Sequence, residues 1–66
     1  MRDPKRIRPA LERLRSYWLS HPDLRLGQII VNAASEVHKG ISSDAFYIED
    51  DQLIQAVMDM WKEEQI

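Results

Sequence analysis

Residues 18–30 read Trp18-Leu19-Ser20-His21-Pro22-Asp23-Leu24-Arg25-Leu26-Gly27-Gln28-Ile29-Ile30, and the break at Ser20-His21-Pro22-Asp23 separates two helical patterns. Pro22 disfavours helical geometry at His21, and Asp23 has the chemistry of an N-cap, so one helix ends before this segment and another starts at Leu24. Upstream, Ile7, Leu11, Leu14 and Trp18 recur at steps of four, three and four, with Ala10 and Tyr17 at the edges of the stripe. Asp3 and Pro4 supply a cap and a tolerated first residue, while Pro9 would kink any regular helix begun that early. The first helix is therefore expected over about 4–20, irregular before Pro9. Downstream, Leu26, Ile30, Ala33 and Val37 repeat the four, three, four spacing, with Ile29 and Ala34 beside them, and define a second helix over about 24–38. Gly40 behind His38 and Lys39 is its expected stop. Gly27 costs helix propensity, which predicts that another backbone comes close there.

The third pattern is Leu53, Val57 and Met60 with Ile54 and Trp61, a helix over about 50–63. With Glu49 as its cap, Ile48 and Leu53 have the spacing of a hydrophobic staple, and Glu49, Asp50 and Asp51 sit at the positive end of the helix dipole. Phe46-Tyr47-Ile48 lacks a second strand to pair with and reads as a loop whose aromatic rings are pinned onto the core. Three apolar stripes predict an all-α domain: an antiparallel helical hairpin closed by a third helix. Its expected centre holds Leu11, Leu14, Trp18, Leu26, Ile30, Ala33, Val37, Leu53, Val57 and Met60, with Trp61 and Phe46 capping one side.

With 66 residues, 44% hydrophobic and 30% charged, residues 1–66 have room for one domain, since domains usually take about 100 to 200 residues. The absence of cysteine removes disulfides and cysteine-based metal sites, leaving apolar packing or a partner to stabilise so short a chain. No run of about 18 apolar residues exists, and no apolar signal core follows Met1-Arg2-Asp3-Pro4, so the expected setting is cytoplasmic, without a membrane partner. Charge divides along the chain: residues 1–25 carry +4 and residues 26–66 carry −6. Such asymmetry marks either two segments that attract within one fold or a basic surface for an anionic partner.

The string Pro22-Asp23-Leu24-Arg25-Leu26-Gly27-Gln28, preceded by Trp18 and followed by an apolar pair, with Phe46-Tyr47-Ile48-Glu49-Asp50-Asp51 later, resembles a family of short, uncharacterised bacterial and bacteriophage proteins. The likeness covers most of the chain from Asp3 to about Val57. It implies a single domain in a bacterial or phage setting and implies no reaction.

Several constellations bear on function. Arg25 either pairs with Asp50 or Asp51, locking the second helix to the third, or joins Gln28 and Asn32 in a polar stripe that suits a partner or the base edges of a helix-turn-helix site. Arg13 and Arg15, with Arg2, Lys5, Arg6 and Arg8, form either a solvated face or a phosphate-contacting one. The acidic overall charge disfavours nucleic acid. Asp44, Glu49, Asp50 and Asp51 lack the ligand spacing of a calcium loop, and His21 and His38 lack the spacing of a zinc site, so no metal is expected. Neither a nucleophile with a base nor a phosphate loop is present, so neither catalysis nor a cofactor is expected. Interaction with a protein, or self-association, is the leading expectation, with Tyr17, Leu19, Ile41, Tyr47 and Ile66 as candidate exposed apolar residues. Candidate interaction residues are Arg13, Arg15, Tyr17, Arg25, Gln28, Asn32, Phe46 and Tyr47; nucleic acid is the alternative partner.

Overall fold

A computed structural model describes residues 2–38 and 45–65. The expected stop at Gly40, and the expected exposure of Ile41 and Ile66, lie outside the described residues. Among the described residues the fold is all-α, with three α-helices: α1 (Ile7–Ser20), α2 (Leu26–Val37) and α3 (Asp50–Glu64). Short 3-10 turns at Pro4–Arg6 and Ala45–Tyr47 precede α1 and α3.

The start of α1 resolves the Pro9 problem in the way the sequence reading allowed. Asp3 caps the 3-10 turn by accepting from the Lys5 N–H at 2.9 Å, Pro4 is its first residue, and regular α-helix begins at Ile7. Pro9 thus falls in the first turn of α1, where its missing donor leaves no bond unmade. At the other end the His21 N–H donates to Trp18 O and closes the helix.

The second helix starts two residues later than expected, and Asp23 is not its cap. The Leu24 N–H donates to His21 O, closing a turn across Pro22 and Asp23, and the Trp18 indole N–H donates to Leu24 O at 2.8 Å. Arg25 is left as the N-cap, and Gln28 reaches back to accept from its N–H at 2.8 Å. That is half of a capping box, because a guanidinium has no acceptor to offer in return.

Packing departs from the expected hairpin. Both α1 and α2 pack along α3, whereas contacts between α1 and α2 themselves are sparse. Starts and ends of α1 and α3 lie side by side: Arg2 and Arg6 reach Asp50, and His21 reaches Glu64, so these two helices run in the same direction. The sealed core consists of Tyr17, Ile29, Ala33, Ala56 and Val57, with Leu14, Trp18, Leu24, Val37, Leu53, Met58, Met60 and Trp61 packed against it in part. The three buried alanines, Ala33, Ala34 and Ala56, leave no bulk between helix backbones and favour their close approach.

Of the expected stripe on α1, Leu14 and Trp18 pack against the core beside Tyr17, while Ile7 and Leu11 are exposed. Tyr17, expected at an exposed edge, is 3% exposed, and Leu11, expected in the centre, is 58% exposed. A phenol can be buried where its hydroxyl finds an acceptor, and Tyr17 donates to Glu64 Oε1 at 3.4 Å while its ring meets Trp61 edge-on at 5.9 Å. The same rotation affects α2: Ile29 is sealed, Ile30 is half-buried, and Leu26 is 43% exposed instead of central.

Two further expectations are corrected. Nothing lies within 4 Å of the place where a Cβ on Gly27 would stand, so no backbone approaches it. Phe46 is 84% exposed and Tyr47 78% exposed, so neither ring is pinned onto the core. In a 3-10 turn residues three apart share a side, and here Ala45 and Ile48 are the half-buried ones, which turns the two aromatic rings outward. They contact each other edge-to-face at 4.9 Å.

Candidate interaction groove

Because α3 sits against both other helices while those two scarcely meet, one side of α1, the turn after it and Leu26 at the start of α2 border an open groove of about 620 Å³. Its apolar wall is Leu11, Leu14, Trp18, Leu19, Pro22 and Leu26. These are largely the residues that α1 and α2 would have buried in the expected hairpin. Leu11, Leu19 and Leu26 stand exposed in it, and Ile7, one turn before Leu11, is also exposed and extends the strip. In the groove floor the Trp18 indole N–H donates to Leu24 O. Glu12 and Arg15 line it as well.

Cations fall into two classes. Arg2 pairs with Glu49 at 2.7 Å and Asp50 at 3.2 Å, and Arg6 pairs with Asp50 at 2.9 Å. The Asp50 carboxyl is held below its ordinary range by its own backbone N–H at the helix start and by these guanidinium groups, Arg6 first. The expected pairing of Arg25 with Asp50 or Asp51 is therefore replaced by pairs from the chain's first residues, which lie beside the start of α3 because α1 and α3 are parallel. Among the described residues no ion pair involves Arg8, Arg13, Arg15 or Arg25.

The expected site residues are distributed over separate surfaces. Arg15 borders the apolar groove, but Arg13 lines a polar trough on another side with Glu36, Asp51 and Asp59. Arg25, Gln28 and Asn32 do come together, lining one shallow exposed depression with Val31, although the Gln28 carbonyl oxygen is engaged by the Arg25 N–H. Tyr17 is in the core, and Phe46 and Tyr47 project on the turn before α3. Among the described residues no three His, Asp or Glu side chains are placed to hold a metal ion. No described helix is long and apolar enough to cross a membrane.

One polar cluster went unforeseen. His21 stacks on Tyr17 with ring centroids 4.3 Å apart, its Nδ1 faces Tyr17 O at 2.9 Å, and its Nε2 faces a Glu64 carboxylate oxygen. A carbonyl can only accept, and an ionised carboxylate likewise, so both ring nitrogens must donate and the imidazolium is the form this pocket fits. The His21 pKa is accordingly raised above its ordinary value, by the Tyr17 carbonyl first and Glu64 next. The i, i+4 spacing of Tyr17 and His21 was visible in the sequence, whereas Glu64 was not identifiable as their partner.

No family model, curated protein or solved structure matches the chain.

Proposed function

We propose that this chain is a non-catalytic protein-interaction module, acting in a bacterial or phage-infected cytoplasm, and that the groove between α1 and α2 is its docking surface. The observation that carries this reading is the exposure of Leu11, Leu19 and Leu26 around a hydrogen-bonded Trp18. Monomers seldom leave contiguous apolar residues of this size uncovered without use. The opening is broad and lined chiefly by aliphatic side chains, which suits a protein segment and lacks a nucleophile with a base.

The Arg25, Gln28 and Asn32 cluster on α2 favours a second reading, nucleic-acid binding. Against it, the arginines of the first helix face different sides, and Arg2 and Arg6 are neutralised by the start of α3. The test is capture from a nuclease-treated bacterial lysate with the native chain and a Leu11→Ser/Leu19→Ser variant as parallel baits. A protein retained by the first and lost by the second is expected; identical retention by both contradicts the assignment of the groove.

A further inference from the structure

We infer that the occupant of the groove is an acidic amphipathic helix of another protein, a conclusion that rests on the docking role proposed above. The shape of the site comes first. From Ile7 to Leu19 the exposed strip runs along α1 for about 18 Å at 1.5 Å per residue, or three to four turns. Pro22 on the turn and Leu26, the first residue of α2, close one end of this strip beside Trp18, and α1 forms its length. A helix laid along the strip would cover the exposed side of α1 and meet Leu26 at that end. This is the helix-in-groove mode of recognition, with apolar anchors at steps of three and four.

Charge then selects the occupant. Arg15 borders the groove, and Arg8 lies two turns earlier on the same face of α1. Both are exposed and make no ion pair among the described residues, in contrast to Arg2 and Arg6. Among the described residues lining the groove, the sole acid is Glu12, which makes no ion pair and offsets one of the two arginines. A second copy is a poor occupant. Two-fold pairing of this face sets arginine against arginine in the register that aligns Arg8 with Arg15, and the acidic α3 has its apolar side committed to the core through Ile54, Ala56 and Val57. Carboxylates flanking apolar anchors match the cationic rim, and cations there would be repelled.

The test uses two labelled helical peptides of about 14 residues with the same leucines at helical spacing, one flanked by Glu and the other by Lys, titrated by fluorescence anisotropy against the native chain. The Glu peptide is expected to bind about threefold or more tightly than the Lys peptide, since Arg8 and Arg15 outnumber Glu12 along the strip. Leu11→Ser/Leu19→Ser should abolish that binding, and Arg15→Glu, an exposed substitution that leaves the fold intact by circular dichroism, should narrow or reverse the preference. Equal binding of both peptides, still lost in the leucine variant, overturns the acidic partner and leaves the docking groove standing. Binding that survives the leucine substitutions, or no binding of either peptide, overturns the inference; only the first of these also counts against the groove. Displacement of the Glu peptide by a DNA duplex, or a native dimer broken by Leu19→Ser, likewise overturns the acidic-helix occupant.

Discussion

The two sides of α1 differ in what their polar groups do. On the side facing α3, every feature closes on another: Tyr17 is buried, His21 bonds to both Tyr17 and Glu64, and the arginines at the chain's start meet Glu49 and Asp50. On the side facing the α1–α2 groove, leucines stand in solvent beside Arg8 and Arg15, which have no ion pair among the described residues. The same helix thus carries a self-satisfied face and an unsatisfied one. Stability should reside in the first and recognition in the second.

The strongest way to break that distinction is to truncate on each side. Ile29→Ala, which deletes methyl groups from a fully buried site, should cost about 2 to 5 kcal/mol, a large part of what so short a chain has, and should show as loss of cooperative urea unfolding. Leu11→Ala should change stability far less than Ile29→Ala in the same assay, because more than half of the residue is already exposed to water. Equal losses at the two positions would mean that the faces are misassigned. Gly27→Ala should raise stability by about 0.4 to 1 kcal/mol, since the site is open and helical, in contrast to the damage that a close backbone approach would cause; thermal unfolding decides the sign.

The smallest expected effect concerns pH. His21 has a raised pKa in the folded chain, so its contribution is fully present below about 6.5 and is lost as pH rises through the folded value. An NMR titration of the His21 ring should give a midpoint above 6.5, moving down toward it in Glu64→Gln. A midpoint at or below 6.5 in the native chain would remove His21 from the α1–α3 contact.

Much of this architecture was legible in the residues. Leu53, Val57, Ile54 and Trp61 mark the inner face of α3 correctly, and Asp3, Pro4 and Pro9 mark the irregular start of α1. The phase of α1 was misread because hydrophobicity ranks Leu11 above Tyr17, while the hydroxyl of the buried Tyr17 meets an acceptor 47 residues away that no local pattern reveals. The groove was illegible for the same reason. Apolar periodicity finds a greasy stripe, but it cannot distinguish a stripe covered by the fold from one left open when α3, instead of α2, becomes the neighbour of α1. Arg25, Gln28 and Asn32 were correctly grouped by helical spacing, and Arg13 and Arg15 were not, being two residues and about 200° apart around the helix.

The orientation of α1 can be tested by solvent paramagnetic relaxation of side-chain resonances in the native chain. Leu11, Leu19 and Leu26 methyls should be strongly attenuated by a soluble paramagnetic agent while the Ile29 and Val57 methyls and the Tyr17 ring are protected. Protected Leu11 and Leu26 methyls beside an attenuated Tyr17 ring would contradict it.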